Sequence, residues 1–288
     1  MKCKAISILF LLVGINSFAS HETCEDYLSK NLHKLPSESF PVGKFSIKEV
    51  IRGVFYLTFP EQKDVTSTFI RPQEFYESPE YRGKIFSLKE FIPWYIQSGA
   101  SSADNNKDPK GTKRFTYYED WAGFNFPSWV LEPFYEGKFN PLRWKEKEIL
   151  KALEPYRNRR FYVIATYDDG TARNKETIST VKHELAHSLY YFDADYKKEV
   201  LEVLATFDTA PFFKYIGDMG YDESVFLDET NAYIITPGLL KSMEEEGYLK
   251  EADYTEVAAK LESLFQIYFQ TWKNKPLLTS QALTEAQK

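Results

Sequence analysis

The segment Thr180-Val-Lys-His183-Glu184-Leu-Ala-His187-Ser-Leu189 carries two of the chain's four histidines, one turn apart if the segment is helical. On an α-helix, residues four apart share a face, so His183 and His187 can present ring nitrogens to one metal ion. Glu184 is rotated about 100° from His183, close enough to reach a water on that ion without being needed as a ligand. Apolar residues at Ile178, Val181, Leu185 and Leu189 keep helical spacing, which predicts a helix over residues 174–191. Just upstream, residues 160–167 (RFYVIATY) read as a buried strand, and Asp168-Asp169-Gly170 as a turn. Random placement of the chain's histidines and glutamates would yield the motif roughly 0.005 times per chain, so chance is a poor account of it.

The stretch resembles the HExxH zinc metallopeptidases, the zincins, over the motif helix and its immediate context. That resemblance implies a zinc-dependent peptidase acting on a peptide or protein, with His183 and His187 as ligands and Glu184 as catalytic base. The chemistry of the residues is consistent with it. Two imidazoles and one carboxylate leave a place open on zinc, where water becomes acidic near neutral pH. Glu184 would accept that water's proton and pass it to a leaving amine. The same residues would serve an amidase acting on a cell-wall amide. A zincin-like binding or structural protein without catalysis would have no need of an acid at Glu184.

The third ligand cannot be a histidine, because only His21 and His33 remain and both lie far upstream. The metzincin extension fails as well: Tyr190 stands at its glycine place and Asp193 at its last ligand place. A side chain at the glycine place hinders the turn that would bring Asp193 inward. A gluzincin arrangement takes a glutamate from a later helix, here Glu229 or Glu202. Glu229 has Val225 and Phe226 one turn before it and Ala232 and Tyr233 one turn after, which puts it on an apolar stripe. A carboxylate there costs on the order of 3 kcal/mol or more unless paired, and coordination to a cation removes the cost. Glu202 also has apolar neighbours and stays in reserve. Asp228 shares its face with Ser224 and Asn231 and reads as exposed or as a partner of a ligand. Tyr233, one turn from Glu229, is the candidate donor to an oxyanion, with Tyr190 and Tyr191 as competitors. Asp193, Asp195 and Asp208 are candidates to hold the far nitrogen of a ligand histidine.

Elsewhere the sequence bounds the class of protein. The 36 Lys+Arg are outnumbered by 42 Asp+Glu, a formal net charge of −6 that argues against a nucleic-acid partner. With 43% hydrophobic and 27% charged residues, the 288-residue chain is globular rather than disordered. Lys2 and Lys4 precede an apolar run from Ala5 to Val13 and a small-residue stretch over 17–20. This describes a signal peptide over 1–19, cut after Ala19, and an exported protein, periplasmic or extracellular, with no stable membrane span. Cleavage removes Cys3 and leaves Cys24 alone, so no internal disulfide is expected.

The expected architecture is α+β and zincin-like. Residues 20–159 form an aromatic-rich region of short strands and helices, and 160–288 a mostly helical region bearing the motif. In the first region, Val54–Phe59 and residues 66–70 read as strands, Ser87 and Glu90 as a helix-capping pair, and 142–153 as a helix ended by Pro155. Residues 98–113 read as a polar loop. Its Asp104, Asn106 and Asp108 fail as a calcium loop because Pro109 occupies the glycine place. The aromatic run 115–135 reads as core, with a substrate-cleft wall as the rival. In the second region, helices are expected over 196–206, 222–236 and 253–273.

Overall fold

Successive side chains of a strand face opposite ways, so a strand with both sets apolar must be covered on both faces. Val54–Phe59 is such a strand. Val54 and Tyr56 enter one core while Phe55, Leu57 and Phe59 enter another. Tyr162–Tyr167 repeats the pattern, with Tyr162 and Ile164 on the first side and Val163 and Ala165 on the second. The molecule is therefore built as one sheet between two layers of helices.

The computed structural model describes residues 22–35, 37–98, 114–168 and 174–279. The expected signal peptide, His21, nearly all of the polar loop and the turn residues Asp169 and Gly170 lie outside them. In chain order the elements are α1 (Cys24–Asn31), β1 (Glu38–Phe40), β2 (Phe45–Ile51), β3 (Val54–Phe59) and α2 (Gln62–Glu77). Then come α3 (Leu88–Ser98), α4 (Tyr117–Asp120), β4 (Gly123–Pro127), α5 (Glu132–Tyr135), α6 (Trp144–Leu153) and β5 (Tyr162–Tyr167). The remainder is helical: α7 (Asn174–Phe192), α8 (Ala194–Leu204), α9 (Ala210–Asp218), α10 (Phe226–Ile234), α11 (Pro237–Glu245) and α12 (Glu251–Lys273). The fold is α+β. Among the described residues no helix is long and apolar enough to cross a membrane.

The strand order is β1-β2-β3-β5-β4. Only β3 and β5 run parallel, in a register that sets Phe55 beside Val163 and Leu57 beside Ala165. β4 lies antiparallel to β5 at the sheet edge, with Phe124 opposite Ala165. Because β5 stands between β3 and β4, residues on either side of Arg160 share one sheet. Helices α2 to α6 pack on one face, and α1 with α7 to α12 on the other. The aromatic run 115–135 supplies the first of these cores through the fully buried rings of Tyr117, Phe124, Phe126 and Phe134.

One expected strand is a helix. Residues 66–70 lie inside α2. The β-branched residues are accommodated because their hydroxyls bond back one turn, Thr66 to the Gln62 carbonyl at 2.9 Å and Thr68 to that of Asp64 at 2.6 Å. Val65 and Phe69, four apart, then face the sheet together. The Ser87–Glu90 pair does begin a helix, the Glu90 carboxylate accepting from the Ser87 amide at 2.7 Å. Strands β1, β2 and β4 and helices α1, α4, α5, α9 and α11 were not anticipated.

A buried ion pair fixes α2 to α6. The Arg71 Nε donates to Glu146 at 2.8 Å, its Nη2 to the second oxygen of the same carboxylate, and its Nη1 to the Phe139 carbonyl at 3.0 Å. Replacing Arg71 by Ala strands the buried Glu146 carboxylate, so a loss of about 3–5 kcal/mol is expected in urea denaturation. A loss below 1 kcal/mol would mean that the pair is not holding these helices.

Candidate metal centre

Helix α7 is the most enclosed helix around the motif: every residue from Val181 to Tyr190 is buried. It leans on β4 and β5, and α10 crosses it from the side away from the sheet. A helix buried on all sides must satisfy each polar group it carries. Lys182 does so by pairing with Glu25 of α1 and, at 2.7 Å, with Glu262 of α12. Ser188 donates to the Leu185 carbonyl. The remaining polar side chains, His183, Glu184 and His187, face α10 and the sheet edge.

There the two imidazoles meet Glu229. The Nε2 atoms of His183 and His187 are 3.2 Å apart, and each lies near Glu229 Oε2, at 3.7 and 3.6 Å. The centre of such a triangle is about 2 Å from each corner, the bond length from imidazole nitrogen or carboxylate oxygen to a small divalent ion. Glu229 is 1% exposed, and its Oε2 has no hydrogen-bond partner among the described residues. An orphaned anionic oxygen facing two ring nitrogens is unfavourable unless a cation lies between them. The buried group His183, His187 and Glu229 is thus suited to hold a metal ion.

The surroundings orient these groups. Asp228 Oδ1 lies 3.0 Å from His187 Nδ1, an ion-pair contact on the ring nitrogen opposite the triangle. Burial works against a charged His187, yet the Glu229 and Asp228 carboxylates outweigh it and hold its pKa well above the ordinary histidine value. Burial likewise pushes Glu229 up, and the two imidazoles reverse this and keep it below the usual carboxylate range. Glu184 is raised, chiefly by burial, with the imidazoles opposing. It also has an amide neighbour, Asn125 of β4, whose carbonyl oxygen is engaged by the Tyr162 hydroxyl at 2.5 Å. Gly123 begins β4 against the same carboxylate. A Cβ at that position would stand 3.1 Å from Glu184 Oε1, so glycine there makes room for the acid.

The other expected candidates fall elsewhere. Glu202 is exposed on α8 and pairs with Lys198 at 3.8 Å, because the apolar residues beside it in sequence point to the other side of the helix. Asp193 caps α8, accepting from the amides of Asp195 and Tyr196. Asp195 and Asp208 are exposed. The histidine partner is Asp228, 13% exposed. Tyr190 packs in the core under Lys197, and Tyr191 lies between Tyr162 and Arg160. Tyr233 does adjoin the centre, its ring 5.0 Å from that of His183, with its hydroxyl 3.7 Å from Met219 Sδ. Burial, reinforced by Glu229, raises its pKa well above that of a free phenol, so it is neutral. Tyr221, close enough to Glu229 and Tyr233 to feel both, was missed, as were Asn125 and Gly123. Asn125, an amide flanked by two phenylalanines, was the one available signal. No family model, curated protein or solved structure matches the chain.

Two more buried acids, Glu74 and Glu77, approach from α2. Burial raises Glu77 well above the ordinary range, with Glu229 adding to it. Burial also lifts Glu74 to about 7, against the opposing hydroxyls of Tyr117 and Ser78. A carboxyl raised on folding contributes stability that is complete below its ordinary pKa and lost as pH rises through about 7. In chelator-treated protein, Glu74→Gln should therefore remove about 3 kcal/mol of the stability lost between weakly acidic and alkaline pH. Denaturation curves at both ends of that window check this, and parallel losses in variant and wild type would contradict it.

Proposed function

We propose that the chain is a gluzincin-type zinc peptidase, exported and acting on peptide or protein substrates. The observation that carries the reading is the triangle of His183 Nε2, His187 Nε2 and Glu229 Oε2, together with Glu184 next to the first histidine. His183, His187 and Glu229 would hold the zinc ion, a nitrogen–oxygen donor set with no sulfur that leaves a fourth place open. When bound, zinc makes water acidic near neutral pH and polarises a carbonyl.

The chain's own groups supply the rest. Asp228 fixes the tautomer of His187 and keeps its ring aligned. Glu184, its pKa raised by burial, would accept the proton of the attacking water and deliver it to the leaving nitrogen. Tyr233 and Tyr221, both half-buried near Glu229 and raised well above free phenol, keep their protons and can donate to a developing oxyanion. The edge position of β4, which starts at Gly123 against Glu184, favours a peptide over a cell-wall amide. An extended peptide can pair with an open sheet edge and bring its carbonyl to the acid.

Glu184→Gln should keep its zinc and lose at least about 100-fold in turnover of a fluorogenic peptide library; undiminished turnover would refute the base. Glu229→Ala should weaken zinc binding, measured by competition with a chromogenic chelator, far more than Glu202→Ala. Asp228→Asn should weaken it by about 10–100-fold. If Glu202→Ala has the larger effect, the ligand set is wrong.

A further inference from the structure

Glu74 and Glu77 stand three apart on α2, 8% and 6% exposed, and among the described residues neither forms an ion pair. With Gln73, Ser78 and Tyr117 they line a cavity of about 20 Å³ beside the metal centre, room for one water-sized body. The helical spacing of Gln73, Glu74, Glu77 and Ser78 puts all four on one side of α2. The Tyr117 hydroxyl, on a ring with no exposure, lies near enough to Glu74 to oppose its shift but completes no hydrogen bond, and neither does Gln73 Oε1. The Gln73 amide nitrogen donates to Glu77.

We propose that this cavity is a second cation site, for a hard ion of the calcium class held by oxygen alone. Two carboxylates, an amide oxygen and two hydroxyls form a donor set that calcium accepts and that offers no nitrogen or sulfur to zinc. Without a cation these two acids are driven toward their neutral forms; held ionised side by side, they need a positive partner. The site uses none of the three zinc ligands, although Glu77 and Tyr221 lie between it and the zinc centre.

The ion would also have a structural consequence. Glu77 ends α2, and its carbonyl accepts from the Asp222 amide at 2.9 Å, while Arg82 pairs with Asp222 at 3.3 Å. An ion drawing Glu74 and Glu77 onto Tyr117 would tie α4 to the end of α2 and to the connection between α9 and α10, both of which border the metal centre.

Terbium(III) tests this, because Tyr117 and Trp121 line the cavity and can sensitise its emission. The zinc-loaded protein, excited in the tyrosine and tryptophan band, should show terbium emission that saturates with one ion and is displaced by calcium but not by added zinc. Glu74→Gln should lose that emission while keeping the zinc content of the wild type. Absent emission, emission unchanged in Glu74→Gln, or displacement by zinc in place of calcium would each overturn the proposal. If that variant does not fold, a crystal of the wild type soaked in terbium decides: an anomalous peak between Glu74, Glu77 and Tyr117 supports the site. Solvent density alone in that cavity refutes it.

Discussion

The carboxylate of Glu229, held against two imidazole nitrogens with water excluded, is the interaction on which the rest of the structure depends. Left alone, it would cost several kcal/mol, on the order of 3 or more. Among the described residues no lysine or arginine pairs with it. The protein surrounds the group instead with His183, His187 and the further acids Asp228, Glu184 and Glu77, so that acidic groups outnumber the imidazoles. Such a cluster is unfavourable for a bare chain and favourable around a divalent ion. The energetics of folding and the chemistry of the site therefore make the same demand.

The sheet makes the cluster possible. Strands β3 and β5 are apolar on both faces, which requires a helical layer on each side and leaves α7 deep within one of them. From there α10 supplies Asp228 and Glu229 on one side. The edge strand β4 supplies Gly123 and Asn125 on the other, and the end of α2 reaches the cluster with Glu77. The residues of the centre are distant in sequence, yet each is fixed by an element whose opposite side is anchored in a core. Lys182 shows the same economy: it lies next to His183 in sequence but faces away, and its pairs with Glu25 and Glu262 hold α7 between α1 and α12.

Much of the centre was legible in the sequence because helical periodicity is a local signal. The stripe through Leu185 and Leu189 located α7, and the one through Val225, Ala232 and Tyr233 turned Glu229 inward. Glu202 shows where that reasoning fails. Valines and leucines beside an acid in sequence do not bury it when they occupy the opposite face of the helix. Residues 66–70 failed for a related reason: β-branched composition suggested a strand, while the four-residue spacing of Val65 and Phe69 and the back-bonded threonine hydroxyls belong to a helix. Asn125, Gly123 and Glu77 reach the centre only through sheet order and helix packing, which no local pattern encodes. Asp228 was legible by half: its face was seen to differ from that of Glu229, but its contact with His187 Nδ1 arises from the crossing of α10 over α7.

X-ray absorption at the zinc edge, measured on the purified protein, tests the central claim most directly. The account predicts one zinc per chain with a first shell of nitrogen and oxygen at about 2.0–2.1 Å, the multiple-scattering signature of two imidazoles, and no sulfur. Zinc-free protein, a sulfur-containing shell, or a shell of oxygen without imidazole would contradict it.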